Sequence, residues 1–114
     1  MESIKRGDIF IVQFYGVGCI QNGVRPCVIV QNNKGNMWSP TTIVVPLTTK
    51  IKKEDQPTHE VIDPKDAIGL NQKSMALCEQ LVVINKDSLI EKVGEVNEKM
   101  MKNIGKACSV SIGV

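Results

Sequence analysis

Apolar residues in this chain come in short runs broken by glycine, proline and charged clusters, a pattern that predicts many brief strands and one late helix. Gly7 to Phe14 has β-branched and aromatic residues on both faces and reads as a first strand, stopped by Tyr15-Gly16-Val17-Gly18. Arg25 to Gln31 is a second strand. Its Pro26 lacks a ladder donor and therefore belongs at the strand's beginning, near an edge or bulge. Asn32-Asn33-Lys34-Gly35-Asn36 reads as a turn, followed by Trp38, Pro40 and a third strand at about 42–47. Thr49 to Thr58 is a polar loop, His59 to Ile62 a short strand, and Asp63 to Asn71 a turning segment. Ser74 to Ile84 reads as the longest strand, Asp87 to Glu91 as one helical turn, and Lys92 to Val96 as a last short strand.

The helix comes last. Asn97 can cap it, and Met100, Met101, Ile104, Ala107, Cys108 and Ser111 follow a 3.6-residue period. Gly105 costs it about 1 kcal/mol relative to alanine unless close packing needs the missing side chain. Five or six strands with one amphipathic helix predict a mainly β fold: a small, strongly bent sheet or barrel with the helix against it. A doubly wound α/β fold does not fit, because no helices separate the strands.

The 114 residues suffice for one core, so residues 1–114 are expected to form a single domain. With 42% apolar and 23% charged residues the chain reads as globular rather than disordered. No apolar stretch approaches the length of a transmembrane helix, and the start has no apolar run followed by a cleavage site, so a cytoplasmic location is expected. The net charge of +2 hides an asymmetry. Residues 1–53 carry seven Lys or Arg against two acids, a balance of +5; the remainder carries seven against ten, or −3. A polyanion would favour surfaces built from the first half.

Four cysteines occur without a C-x-x-C pair. Cys27 and Cys78 lie in apolar runs and read as buried thiols rather than disulfide or zinc partners. Cys19 lies in a glycine-bearing loop, without a neighbouring histidine to make it a nucleophile. His59, the sole histidine, titrates in the right range for acid–base work, yet at the start of a short strand it reads as a structural residue. Arg25 and Thr48 each sit where an apolar run meets a polar loop. A guanidinium fork and a hydroxyl beside Lys50, Lys52 and Lys53 are suitable parts for gripping a phosphate. Any small β protein can end strands this way, so the residue types alone do not decide.

The ordered set of motifs adds a resemblance. Lys5-Arg6-Gly7-Asp8-Ile9, Gly23-Val24-Arg25-Pro26, Val30-Gln31-Asn32 and Asn36-Met37-Trp38-Ser39-Pro40-Thr41 come first. Pro46-Leu47-Thr48, Lys50-Ile51, Pro57-Thr58-His59 and Leu77-Cys78-Glu79-Gln80 follow. Together they span nearly the whole chain, which closely resembles the MazF/PemK (Kid-like) toxins of type II toxin–antitoxin systems. The resemblance implies an SH3-like β-barrel with a C-terminal helix, assembled as a homodimer. It implies a sequence-specific endoribonuclease that cuts single-stranded RNA, chiefly mRNA, without metal or cofactor, leaving a 2′,3′-cyclic phosphate and a 5′-hydroxyl. A cognate antitoxin would inhibit it by covering the RNA groove.

By the same resemblance Arg25 and Thr48 are the catalytic pair. An arginine is permanently charged, so a phosphate clamp fits Arg25 better than a base. Gln21, Asn32, Trp38, Lys50, Lys52, Lys53 and Gln80 are the RNA-binding candidates, with Gly23, Pro26, Glu79 and His59 in structural roles. Glu79 and Gln80, read as strand residues, would point to opposite faces. Family members commonly have Gly-Ser-Glu-Gln-Gly before the arginine, where this chain has Gly18-Cys19-Ile20-Gln21-Asn22. The lost acid makes that loop less repulsive to RNA. The alternatives are a related barrel toxin that binds DNA gyrase without cutting RNA, and a bare SH3-like adaptor. Arg25 with Thr48 argues against the gyrase binder, which needs neither.

Overall fold

The computed structural model describes residues 3–16 and 22–114. Its strands are β1 (Asp8–Tyr15), β2 (Asn22–Ile29), β3 (Thr41–Thr48), β4 (His59–Ile62), β5 (Ala67–Ile68), β6 (Ser74–Leu77), β7 (Val82–Asn85) and β8 (Leu89–Val96). The helices are α1 (Asn33–Trp38) and α2 (Glu98–Ile112). Hydrogen-bonded neighbours run β4-β6-β3-β2-β1-β8-β5, with β7 also on β3. Every pairing is antiparallel.

The order has two open ends, which corrects the expected SH3-like barrel: the sheet bends but strand pairing does not close it. The end strands explain why. β4 stops after four residues, before Asp63-Pro64, and β5 is two residues long, so neither offers the other a useful ladder. The mainly β architecture with a C-terminal helix stands.

Strand alternation buries residues on both sides of the sheet. Ile9, Val28, Val45, Leu47, Ile62 and Ala76 join one apolar cluster, which α2 covers with Met100, Met101, Ile104, Ala107 and Cys108. Phe10, Val12, Phe14, Cys27, Ile29 and Val44 join the other, together with Ile4. Fully burying a side chain such as Ile104 stabilises by about 1.5–3 kcal/mol. Asn97 caps α2 by accepting the Met100 N–H at 2.8 Å. At Gly105 a Cβ would stand 2.6 Å from an Arg6 guanidinium nitrogen, the far end of a flexible side chain that can swing aside, so close packing does not demand glycine there.

The segment 74–84 is not one strand. β6 places Ala76 opposite Leu47, so an unbroken ladder would place residue 79 opposite Val44; Val82 stands there instead. The three extra residues are taken up by a 3₁₀ turn, Cys78–Gln80. Glu79 and Gln80 therefore sit on a turn between two ladders, not on alternate faces of a strand. Asn32–Asn36, expected as a turn, is mostly the start of α1, because the Asn32 side chain accepts the Gly35 N–H at 2.8 Å. β2 begins at Asn22, and Pro26 lies within it opposite Ile11, while the ladder to β3 begins only at Cys27. A 3₁₀ turn at Pro64–Asp66 and β5 occupy part of the segment 63–71. The expected helical turn near 87–91 is a 3₁₀ turn at Lys86–Ser88, and β8 is already under way at Leu89.

Candidate active site

β2 and β3 part where their ladder meets proline. Cys27↔Pro46 is the last paired position, and neither Pro26 nor Pro46 has an N–H to extend it. Beyond it the strands line a groove of about 550 Å³, walled by residues 22–26 of β2 and by Leu47, Thr48, Thr49 and Lys50. Arg25 and Thr48 both line it and both are half-buried. Gly23 opposes Phe14 at φ +87°, a left-handed conformation suited to glycine, as β2 enters the groove.

Among the described residues no carboxylate pairs with the Arg25 guanidinium. Its positive charge therefore stays available to an anion. The Thr48 Oγ1 accepts the backbone N–H of Lys50 at 3.1 Å. That bond uses a lone pair and leaves the hydroxyl hydrogen to be donated elsewhere. A forked cation and an oriented hydroxyl thus face one cavity, with the ammonium-bearing loop at its edge. Cys27, next along β2, is fully buried; burial pushes its thiol up to about 12 against the opposing pull of Arg25, so it stays protonated. Cys27, Cys78 and Cys108 are buried and unbridged, while Cys19 lies outside the described residues.

Of the RNA-binding candidates, Lys50 lines the groove, and Lys52 and Lys53 follow on the exposed loop after it. Lys53 adopts φ +53°, the one non-glycine residue with positive φ among those described. Asn32 and Trp38 lie elsewhere. Both sit at the Thr41 end of β3, seven residues from Thr48, or roughly 23 Å at strand spacing. Trp38 is exposed, and the Asn32 side chain is engaged as the α1 cap. Gln80 is half-buried on the 3₁₀ turn after β6, and Gln21 lies outside the described residues.

His59 and Glu79 meet. The His59 Nε2 lies 2.9 Å from a Glu79 carboxylate oxygen, and its Nδ1 lies 3.0 Å from the Lys53 carbonyl oxygen. Burial lowers the tendency of this ring to protonate, but the hydrogen bond to Glu79, the loop carbonyls and the Glu79 charge outweigh it and raise the pKa. The sequence supplied both residues but not their pairing, because reading Glu79 as a strand residue hid the turn that carries it to the histidine. Among the described residues no group of three or more His, Cys, Asp or Glu side chains is placed to hold a metal ion. No described helix is long and apolar enough to cross a membrane.

Known proteins match this chain over nearly its whole length. The family described as PemK-like, MazF-like toxin of type II toxin-antitoxin system matches residues 5–112. Endoribonuclease EndoA of Bacillus subtilis is 38% identical over 112 residues, covering 97% of this chain and 96% of the relative. Endoribonuclease MazF of Staphylococcus saprophyticus is also 38% identical over 112 residues, covering 97% and 92%. A mycobacterial endoribonuclease solved in complex with its cognate antitoxin superimposes with a TM-score of 0.79 at 26% identity, covering 97% and 96%. The MazF structure from Deinococcus radiodurans shares the fold at a TM-score of 0.84 and 15% identity, with both chains covered completely. From residue 5 to residue 112, therefore, this chain belongs to the PemK-like, MazF-like toxins of type II toxin–antitoxin systems.

Proposed function

We propose that this endoribonuclease toxin cuts single-stranded RNA, chiefly mRNA, at chosen sequences in the groove between β2 and β3, with Arg25 and Thr48 as its catalytic pair. The observation that carries the reading is their convergence on one cavity from adjacent strands, where the ladder has ended. Arg25 grips the non-bridging oxygens of the scissile phosphate with two charge-assisted bonds. Thr48 donates its hydroxyl to the same phosphate as negative charge grows. With the phosphate held in line, the ribose 2′-hydroxyl attacks the phosphorus and gives up its proton to solvent, while the P–O5′ bond breaks and the leaving 5′-oxygen takes a proton from solvent. The products are a 2′,3′-cyclic phosphate and a 5′-hydroxyl, formed without a metal. Lys50, Lys52 and Lys53 hold the flanking phosphates.

The substrate places the toxin's action in the cytoplasm, where a cognate antitoxin restrains it by covering the same groove. Support for such a partner is the mycobacterial relative solved with its antitoxin. The active particle is a homodimer carrying two grooves. α2 keeps Met100, Met101, Ile104 and Cys108 for its own core, so these side chains are not the dimer surface. Exposed apolar groups such as Met37 and Trp38 remain for a second copy to cover.

The test is to incubate the purified protein with a long single-stranded RNA in EDTA and map the ends. Cuts at a recurring sequence, with 2′,3′-cyclic phosphate and 5′-hydroxyl ends, are expected. Intact RNA, or 5′-phosphate ends, would refute the reading.

A further inference from the structure

The loop from Thr49 to Thr58 holds itself in place with little apolar burial. It is polar and largely exposed, with Ile51 its single aliphatic residue and only half-buried. Backbone bonds tie it internally: Gln56 N–H donates to the Lys53 carbonyl at 3.0 Å and His59 N–H to the Gln56 carbonyl at 2.9 Å. Yet this loop begins at the groove, where the Lys50 N–H sets the orientation of the Thr48 hydroxyl.

His59 fastens the loop to the sheet. Its side chain is only 7% exposed, and each ring nitrogen faces an acceptor: the Lys53 carbonyl on one side and the Glu79 carboxylate on the other. A carbonyl and a carboxylate cannot donate. A neutral imidazole has a single N–H, so it would satisfy one partner and set a lone pair against the other. Only the doubly protonated ring donates to both. The groups around it agree. Glu79 on the 3₁₀ turn is the acid that faces it; Leu77, opposite on β6, is uncharged; Lys52 and Lys53 approach with their carbonyls. Glu60, next on β4, has its own carboxyl pushed toward the neutral form by burial.

We infer that His59 is a positioning residue for RNA cleavage: as an imidazolium clasped between Glu79 and the Lys53 carbonyl, it holds the loop that aligns Lys50 and the Thr48 hydroxyl at the groove. The inference rests on the Arg25–Thr48 reading of that groove. His59 touches no reacting atom. Its action runs through Lys53, along the loop to Lys50, and through the Lys50 N–H to Thr48. Deprotonation removes one of the two tethers and slackens the loop.

The experiment measures single-turnover cleavage by the parent, His59→Gln and Glu79→Gln from about pH 6 to about pH 9, with hydrogen exchange of the 49–53 amides. At the acid end His59→Gln should be slower by up to roughly 10²-fold, the loss that a small misplacement remote from the chemistry can cause. Its deficit should shrink as pH rises and the parent loses its own proton. Glu79→Gln keeps a hydrogen-bond acceptor but removes the charge, so its rate should fall off at lower pH than the parent's. The 49–53 amides should exchange faster in His59→Gln. A constant ratio of parent to His59→Gln at every pH, or unchanged exchange at 49–53, overturns the inference. Arg25→Ala is run alongside: if it too cleaves normally, the groove reading fails, whereas an inactive Arg25→Ala beside a normal His59→Gln condemns only the clasp.

Discussion

Arg25 on β2 and Thr48 on β3 occupy facing positions when the β2–β3 register is carried two residues past its last pair, Cys27↔Pro46. The prolines that end the ladder thus leave a cation and a hydroxyl opposite each other across an open groove. On the proposed mechanism the hydroxyl, not the volume, of Thr48 is the property that cleavage depends on. Thr48→Val keeps the shape and should slow cleavage by roughly 10²–10³-fold, the usual loss of one donor to a developing oxyanion. Thr48→Ser should recover most of the rate. Single-turnover rates of the two variants check this; equal rates would remove the hydroxyl from the chemistry.

Lys50, Lys52 and Lys53 should act on binding more than on the bond-breaking step. If each neutralises one phosphate of a single strand, changing all three to glutamine should reduce the slope of log affinity against log salt by about 2. Titration of a non-cleavable RNA at several salt concentrations measures it. A slope equal to the parent's means the loop charges face only water.

The His59 clasp also has a stability signature. The folded protein keeps the ring protonated to higher pH than the unfolded chain does. Its stabilisation is therefore complete below the unfolded value of about 6.5 and is lost as pH rises through the raised folded value. Thermal melts should show the parent above His59→Gln at mildly acidic pH, with the gap narrowing on the alkaline side. A gap that widens with pH would contradict the sign.

Away from the groove, Gly69 and Gly94 hold β5 against β8 by having no side chains. A Cβ on Gly94 would stand 2.0 Å from the Ile68 carbonyl oxygen, and one on Gly69 equally close to that of Val93. Both obstacles are backbone and cannot swing aside. Gly94→Ala should lower the unfolding free energy by about 2 kcal/mol or more, read from urea melts. A neutral result would mean that the strand pair can separate freely.

Much of this arrangement was legible in the residues. The 3.6-residue period of Met100, Met101, Ile104, Ala107 and Cys108 located α2, and β-branched runs located β1, β3 and β4. Two features were not. Ser74 to Ile84 is apolar enough to be one strand, and only its two partners' different registers on β3 force the turn at Cys78–Gln80. That turn is what delivers Glu79 to His59, so the pairing was invisible as well. Barrel closure depends on whether the end strands are long enough to meet, which local pattern does not encode. Within the groove, Arg25 and Thr48 stood out as a cation and a hydroxyl at strand ends. Trp38 and Asn32, also RNA-binding candidates, lie one length of β3 away from Thr48, a separation that local pattern does not encode.

The proposed homodimer should show a mass near 25 kDa, about twice the 12.5 kDa of one chain, by light scattering at micromolar concentration. Trp38→Glu, which places a charge on exposed apolar surface, should shift the mass toward that of a single chain. A fully active protein that scatters as a monomer would remove the dimer and leave the chemistry of the groove intact.

The most direct test of the central claim is single-turnover cleavage of a long single-stranded RNA by the parent and by Arg25→Ala, in EDTA, after circular dichroism has shown that both are folded. The account predicts cuts with 2′,3′-cyclic phosphate ends from the parent and a loss of at least about 10²-fold in rate from Arg25→Ala, because the phosphate clamp is gone while the core is untouched. Cleavage by folded Arg25→Ala at close to the parent's rate would contradict it.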